Sequence, residues 1–143
     1  METKFVVLGN PQGKGRPRFS VRRLKNGESY TNVRTPDQTV LYENQIKFEY
    51  GRQCGILRFP DEAQLLIRID AFYEMPKSVS KKKKELMESG KIRPTKKPDW
   101  DNVGKVFCDA LNGIAYRDDS QIVGALVRKF YGMPRVEVTI KEI

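Results

Sequence analysis

The sequence predicts a single small α+β domain, and three observations carry that expectation. At 143 residues the chain fits one domain with room for a modest core. Short apolar runs read as strands near both ends and at Leu65–Tyr73. Between them lie three stretches that read as helices, with start and stop residues in place.

In chain order, Lys4–Leu8 (KFVVL) is a short apolar strand. Gly9 to Arg18, GNPQGKGRPR, is a loop, because Gly and Pro punctuate it. Arg18–Asn32 reads as a hairpin turning on the two residues Asn26-Gly27. Thr35-Pro36-Asp37 predicts a helix start, with Thr35 capping and Pro36 in the first turn; the helix runs to about Gln53 and stops near Gly55. Leu65–Tyr73 is a strand, and Ser78–Ser89 a short charged helix ended by Gly90. Lys91–Pro98 is a basic loop. Asp101–Asn112 is the strongest helix, ended by Gly113. Gln121–Tyr131 and Arg135–Ile143 are the closing strands; in the second, Val136, Val138 and Ile140 alternate with Glu137, Thr139 and Lys141.

Composition excludes several functions. No apolar run is long enough to span a membrane, and the start carries no signal-peptide pattern, so the cytoplasm is the expected compartment. Two cysteines, Cys54 and Cys108, form no CxxC pair; zinc or a disulfide framework is not expected, and Cys108 reads as packing. The absence of histidine removes Ser-His and Cys-His catalysis and imidazole ligation. GNPQGKG lacks the spacing and the hydroxyl of a phosphate-binding P-loop, so no nucleotide cofactor is expected.

The net charge is +9, which points to nucleic acid or an anionic surface. It is unevenly spread: +6 over residues 1–35, −3 over 36–76, +7 over 77–97 and −1 over 98–143. Inside the last segment, Lys97 to Gln121 (KPDWDNVGKVFCDALNGIAYRDDSQ) holds five aspartates against Lys97, Lys105 and Arg117. On a helix, Val103, Val106, Phe107, Ala110 and Leu111 form one stripe, and Asp101, Lys105, Asp109 and Asn112 the opposite one. A solvated face with i,i+4 ion pairs explains that stripe alone. Asp99 and Asp101, flanking Trp100 in an extended stretch, would point the same way, and Asp118-Asp119 follow a short loop after the helix. Three or four carboxylates are therefore expected to converge. Such a cluster must take up protons or bind a hard cation such as Mg²⁺, with Lys105 placed to neutralise a phosphate or position water. A metal-dependent phosphodiesterase acting on nucleic acid fits both the acidic cluster and its basic flanks.

The same residues resemble the signature of the RusA family of Holliday junction resolvases. Pro98, Asp99, Asp101, Asn102, Lys105, Asp109-Ala110-Leu111 and Asp118-Asp119 match its Pro-Asp-x-Asp-Asn start, its lysine, its Asp-Ala-Leu and its Asp-Asp. Gly13 to Ser20, GKGRPRFS, resembles its basic opening motif; residues 50–90 carry little resemblance. The resemblance implies a mixed sheet flanked by helices and a homodimeric, bacterial or phage-encoded endonuclease. It implies paired symmetric nicks in four-way junction DNA with Mg²⁺, or Mn²⁺ in its place, in recombination and repair. By the same resemblance Asp99, Asp101 and Asp119 are metal-holding catalytic carboxylates and Asp118 and Lys105 support them. Asp109 matches too, either at the metal or orienting Lys105.

For DNA binding the candidates are Lys14, Arg16, Arg18, Arg22, Arg23, Lys96 and Lys97, with Lys81–Lys84 divided between phosphate tracking and a solvated face. Trp100 reads more readily as a buried residue than as a base-stacking one. Two alternatives stay open: a non-catalytic basic nucleic-acid-binding protein, which leaves the aspartates unexplained, and a metal-dependent nuclease for flaps or forks.

Overall fold

A computed structural model describes residues 1–143. Its centre is a four-stranded mixed sheet in the order β1-β6-β4-β5, made of β1 (Glu2–Leu8), β4 (Leu65–Tyr73), β5 (Ile122–Tyr131) and β6 (Arg135–Glu142). β6 runs antiparallel to β1 and to β4, while β5 runs parallel to β4. A parallel pair needs a long crossover. Here that crossover carries α2 (Lys81–Glu88) and α3 (Trp100–Ala110), the helix that bears the acidic island. The α+β mixed sheet flanked by helices is the expected architecture.

Alternation puts Phe5, Val7, Leu65, Ile67, Ile69, Val136, Val138 and Ile140 on one sheet face, all buried. Against them pack α1 (Asp37–Cys54), through Tyr42, Ile46 and Tyr50, and α3, through Val103, Val106, Phe107 and Ala110. Edge-to-face rings join β1 to α1, Phe5 on Tyr50 at 5.3 Å, and α1 to α3, Tyr42 on Phe107 at 5.8 Å.

Some local expectations are corrected. The N-cap of α1 is Pro36 and makes no side-chain cap bond, so Thr35 is not the cap. Ser80 caps α2 by accepting from the Lys83 amide, which starts that helix after Ser78. β2 (Arg18–Arg23) and β3 (Ser29–Arg34) form the hairpin, but not on a two-residue turn. The Leu24 amide donates to the Glu28 carbonyl, leaving three loop residues with Gly27 at φ 86° in the left-handed region. α3 begins at Trp100, so Asp99 is its extended N-cap and Asp101 already lies in the first turn. The two carboxylates are not aligned by strand alternation.

One buried amide fixes the chain where α3 gives way to β5. The Gln121 Nε2 donates to the Pro60 and Ala63 carbonyls at 2.9 and 3.2 Å, and its Oε1 accepts from the Arg117 and Asp118 amides at 2.9 and 3.3 Å. Replacing it takes the partner from the Ala63 carbonyl and from the Arg117 and Asp118 amides, while the Pro60 carbonyl keeps the Ala63 amide. Gln121→Leu is expected to cost on the order of 2–3 kcal/mol, read as a lower urea midpoint at unchanged slope; an unchanged midpoint would contradict this account.

Candidate nuclease site

The apolar stripe of α3 faces the core, so its polar stripe faces out. Asp101 and Lys105 are exposed, and Lys105 makes no ion pair. The i,i+4 pairing read from the sequence does not form. Asp109 pairs instead with Lys14 from the distant glycine loop, at 3.4 Å.

The five aspartates fall into two groups at opposite ends of the helix. Asp99 and Asp101 stand at its start. Asp109 lies about 12 Å further along the axis, at 1.5 Å of rise per residue. Asp119 joins it there, its backbone amide donating to the Asn112 Oδ1 at 2.8 Å. Asp118 caps the following 3-10 turn, its carboxylate accepting from the Ser120 amide at 3.0 Å. No three carboxylates gather closely enough within the chain to hold a metal ion. The expected convergence is corrected for a single chain: strand alternation does not apply to Asp99 and Asp101, and the length of α3 separates them from Asp119.

Electrostatics distinguish the two ends. Asp99 caps the helix without spending its carboxylate on a cap bond. Burial, then repulsion from Asp118 and from Asp109, pushes the Asp119 carboxyl above the ordinary range; the Asp109 and Asp119 carboxyls lie within hydrogen-bonding reach of each other. Hydrogen bonding from Ser120 holds Asp118 below it. The donor set is hard oxygen throughout, which suits Mg²⁺ or Mn²⁺. Cys108, half-buried nearby, is pushed up to about 11, first by burial and then by Asp119 and Asp109. It stays a thiol at neutral pH and belongs to the packing.

Asp99 opens into a polar cleft of about 540 Å³ lined by Gln12, Gly13, Lys14, Arg16, Lys97, Pro98 and Asn102. The glycines make this approach possible. A side chain on Gly13 would meet Asn102 Cβ at 2.9 Å, and one on Gly15 would meet Thr39 Oγ1 at 2.5 Å. The loop is pinned at three points. The Lys14 amide donates to the Asn102 carbonyl at 3.0 Å, the Gly15 amide to Thr39 Oγ1 at 3.0 Å, and the Lys14 ammonium to Glu43 Oε1 at 3.0 Å.

The basic candidates differ in availability. Arg16, Lys96 and Lys97 are exposed, whereas the Lys14 ammonium is taken by two carboxylates. On the hairpin, register and alternation place Arg18 and Arg22 on one face with Arg34, which sequence reasoning passed over. Arg23 falls on the other face with Phe19, Val21 and Val33. Lys129 on β5 was also missed. Its ammonium donates to the Lys96 carbonyl at 2.6 Å and sits 4.9 Å from the Tyr73 ring centroid, which ties the basic loop down close to Asp99. Its position inside an apolar strand gave no signal. Trp100 is 63% exposed between Asp99 and Asp101, so the buried reading is corrected. No helix is long and apolar enough to cross a membrane.

Comparison with known proteins bears on the same residues. The uncharacterized protein YqaN of Bacillus subtilis (strain 168) is similar: 42% identical over 145 residues, covering 98% of this chain and 96% of that protein. A model of the family described as "Endodeoxyribonuclease RusA" matches residues 9–141, from the glycine loop through β6. The chain therefore belongs to the RusA family of crossover junction endodeoxyribonucleases, metal-dependent enzymes that act on Holliday junctions.

Proposed function

We propose that this protein is a Mg²⁺-dependent homodimeric nuclease that resolves four-way junctions by paired symmetric nicks in DNA recombination and repair. The observation that carries the reading is the cleft in which the uncommitted carboxylate of Asp99 faces Arg16 and Lys97. Cations of that kind hold a phosphodiester, and the carboxylate holds the ion that acts on it.

Asp99, Asp101 and Asp119 are the proposed metal carboxylates, with Asp118 and Lys105 in support. Mg²⁺ usually takes only one or two protein carboxylates and completes its shell with phosphate and water. Each end of α3 supplies that number. Held by these carboxylates, Mg²⁺ would supply positive charge against the attacked phosphate and a more acidic water. The protein's own groups do the rest. Arg16, Lys96 and Lys97 position the strand. Lys105, free of any ion pair, meets charge that develops on the phosphate. Arg18 and Arg22, beside Arg34 whose guanidinium is paired with Asp37 at 2.6 Å, form the basic face of a two-stranded ribbon, a shape the major groove admits. A four-way junction has two-fold symmetry, and two matched cuts need two matched sites, which a homodimer supplies.

Three outcomes test this. With an end-labelled four-way junction, Mg²⁺ should give paired nicks that EDTA abolishes, and Asp101→Asn should stop cutting while leaving binding intact or slightly tighter. Cutting by Asp101→Asn at the wild-type rate would remove Asp101 from the site. Tight binding with no cutting in Mg²⁺ or Mn²⁺ would favour a pure binding protein, and preferential flap or fork cleavage would change the substrate.

The second concerns pH. Asp119 must be ionised to hold a cation, and its carboxyl is raised above the ordinary 3.8. Activity is therefore lost as pH falls through that raised value. Asp109→Asn removes one repelling charge and should move the acid limb of the cleavage profile downward; an unmoved limb would separate Asp109 from Asp119.

The third uses the single tryptophan of the chain. Exposed Trp100 is placed to stack on an unpaired base at the branch point, worth about 1–3 kcal/mol. Junction DNA should quench its fluorescence far more than duplex does, and Trp100→Ala should weaken junction binding selectively. Equal quenching by both would assign Trp100 elsewhere.

A further inference from the structure

Lys14 was read from the sequence as a phosphate contact, but it sits where three elements meet. Its ammonium lies 3.0 Å from Glu43 Oε1 on α1 and 3.4 Å from Asp109 Oδ2 on α3, and its side chain is 20% exposed. Its own amide is bonded to the Asn102 carbonyl of α3. Burial works against its charge, yet Glu43 and Asp109 outweigh that and hold it above the ordinary lysine value. Asn112 links Asp109 to Asp119: its amide donates to the Asp109 carbonyl at 3.2 Å and its Oδ1 accepts from the Asp119 amide at 2.8 Å.

A lysine engaged in this way is poorly placed to release counterions from DNA. Reaching a phosphate would cost both ion pairs and leave Glu43 and Asp109 unpaired in partly covered positions. Its chemistry suits another task. Asp109 and Asp119 repel each other, and Lys14 is the cation paired with Asp109. The glycines on either side of it allow the loop to come this close, because a side chain at Gly13 or Gly15 would collide with α3 or α1.

We infer that Lys14 is a positioning residue of the nuclease: it ties the glycine loop to α1 and α3 and, by neutralising Asp109, sets the arrangement in which Asp119 works. This rests on the reading of Asp119 as a metal-holding carboxylate. Arg16, two residues on, remains the loop's phosphate contact.

The experiment compares wild type with Lys14→Met, Lys14→Arg and the double variant Lys14→Met/Asp109→Asn. It measures single-turnover cleavage of a four-way junction at saturating protein, and junction affinity over a salt series. Lys14→Met should bind within about twofold of wild type with the same salt slope, yet cut about 10- to 100-fold more slowly, as small misplacements at a reacting centre do. Lys14→Arg should restore most of the rate. The double variant should cut faster than Lys14→Met, because the unneutralised charge is gone.

The inference is overturned if Lys14→Met loses affinity with a salt slope lower by about 0.9, the mark of one lost phosphate contact, and cuts normally at saturation. It is equally overturned if the double variant is no faster than Lys14→Met. Amine acetylation of the wild-type protein guards against a variant that does not fold. Lys14 should label slowly with or without junction DNA, while Lys96 and Lys97 label quickly and are protected by it. Fast labelling of Lys14, suppressed by DNA, would make it a phosphate contact after all. A wild type that does not cut junctions would instead sink the nuclease reading, and the labelling would still decide whether Lys14 meets DNA.

Discussion

The buried stripe of α3 is the constraint on which the rest of the site depends. Val103, Val106, Phe107 and Ala110 are removed from water against the sheet and α1. Each such side chain contributes on the order of 1–3 kcal/mol to keeping the helix in one orientation. A helix has a fixed angular step, so burying that stripe leaves Asp101, Lys105 and Asp109 no choice but the outer edge. Their placement costs the protein little locally, because the core residues determine it.

The same geometry imposes a limit. A straight helix keeps its start and its end apart, so it cannot gather all the acidic residues it carries. What it can do is offer a carboxylate group at each end, with a loop crossing between. The chain returns twice to these ends. Gln121 pins the Asp118–Asp119 turn through the Pro60 and Ala63 carbonyls, and the glycine loop crosses over Asn102. Lys129 does a similar service for the basic loop through Lys96. At Gln121 and at Lys129 one buried or half-buried polar side chain, bonded to backbone, fixes a surface loop, and the glycine loop is held by its Lys14 amide on the Asn102 carbonyl and its Gly15 amide on buried Thr39.

Periodicity and motif spacing made the elements and the position of the candidate site legible. The α3 stripe, the β6 alternation and the Gly90 stop all follow from local physics, and each stands where the sequence puts it. The misses share a cause: they concern partners far apart in the chain. Nothing in the residues near Lys14 announces Glu43 or Asp109, and nothing near Gln121 announces Pro60. The hairpin turn failed for a different reason. Asn26-Gly27 allows several loops, and the pairing of Leu24 with Glu28 chose the longer one. Asp99 and Asp101 failed because one residue decided the matter: once Trp100 turned helical, the period changed from two to 3.6.

A strongly basic chain that keeps an acidic island must prevent the two charges from cancelling each other. The fold does this by partner choice. Most of the free cations sit on the hairpin and the loop before α3, where few acidic residues lie within reach, and they remain available to a polyanion. Lys14, the one cation of the glycine loop that lies among the carboxylates, is consumed by two of them. Asp99, Asp101 and Asp119 are left without any ion pair. Unpaired carboxylates repel a phosphate backbone, so DNA alone would avoid this edge. On the reading of Asp99, Asp101 and Asp119 as metal carboxylates, a bound divalent cation would offset their charge and let a strand settle against α3. On that reading the basic surface would recruit the nucleic acid, and the acidic edge of α3 would select where along it a phosphate rests.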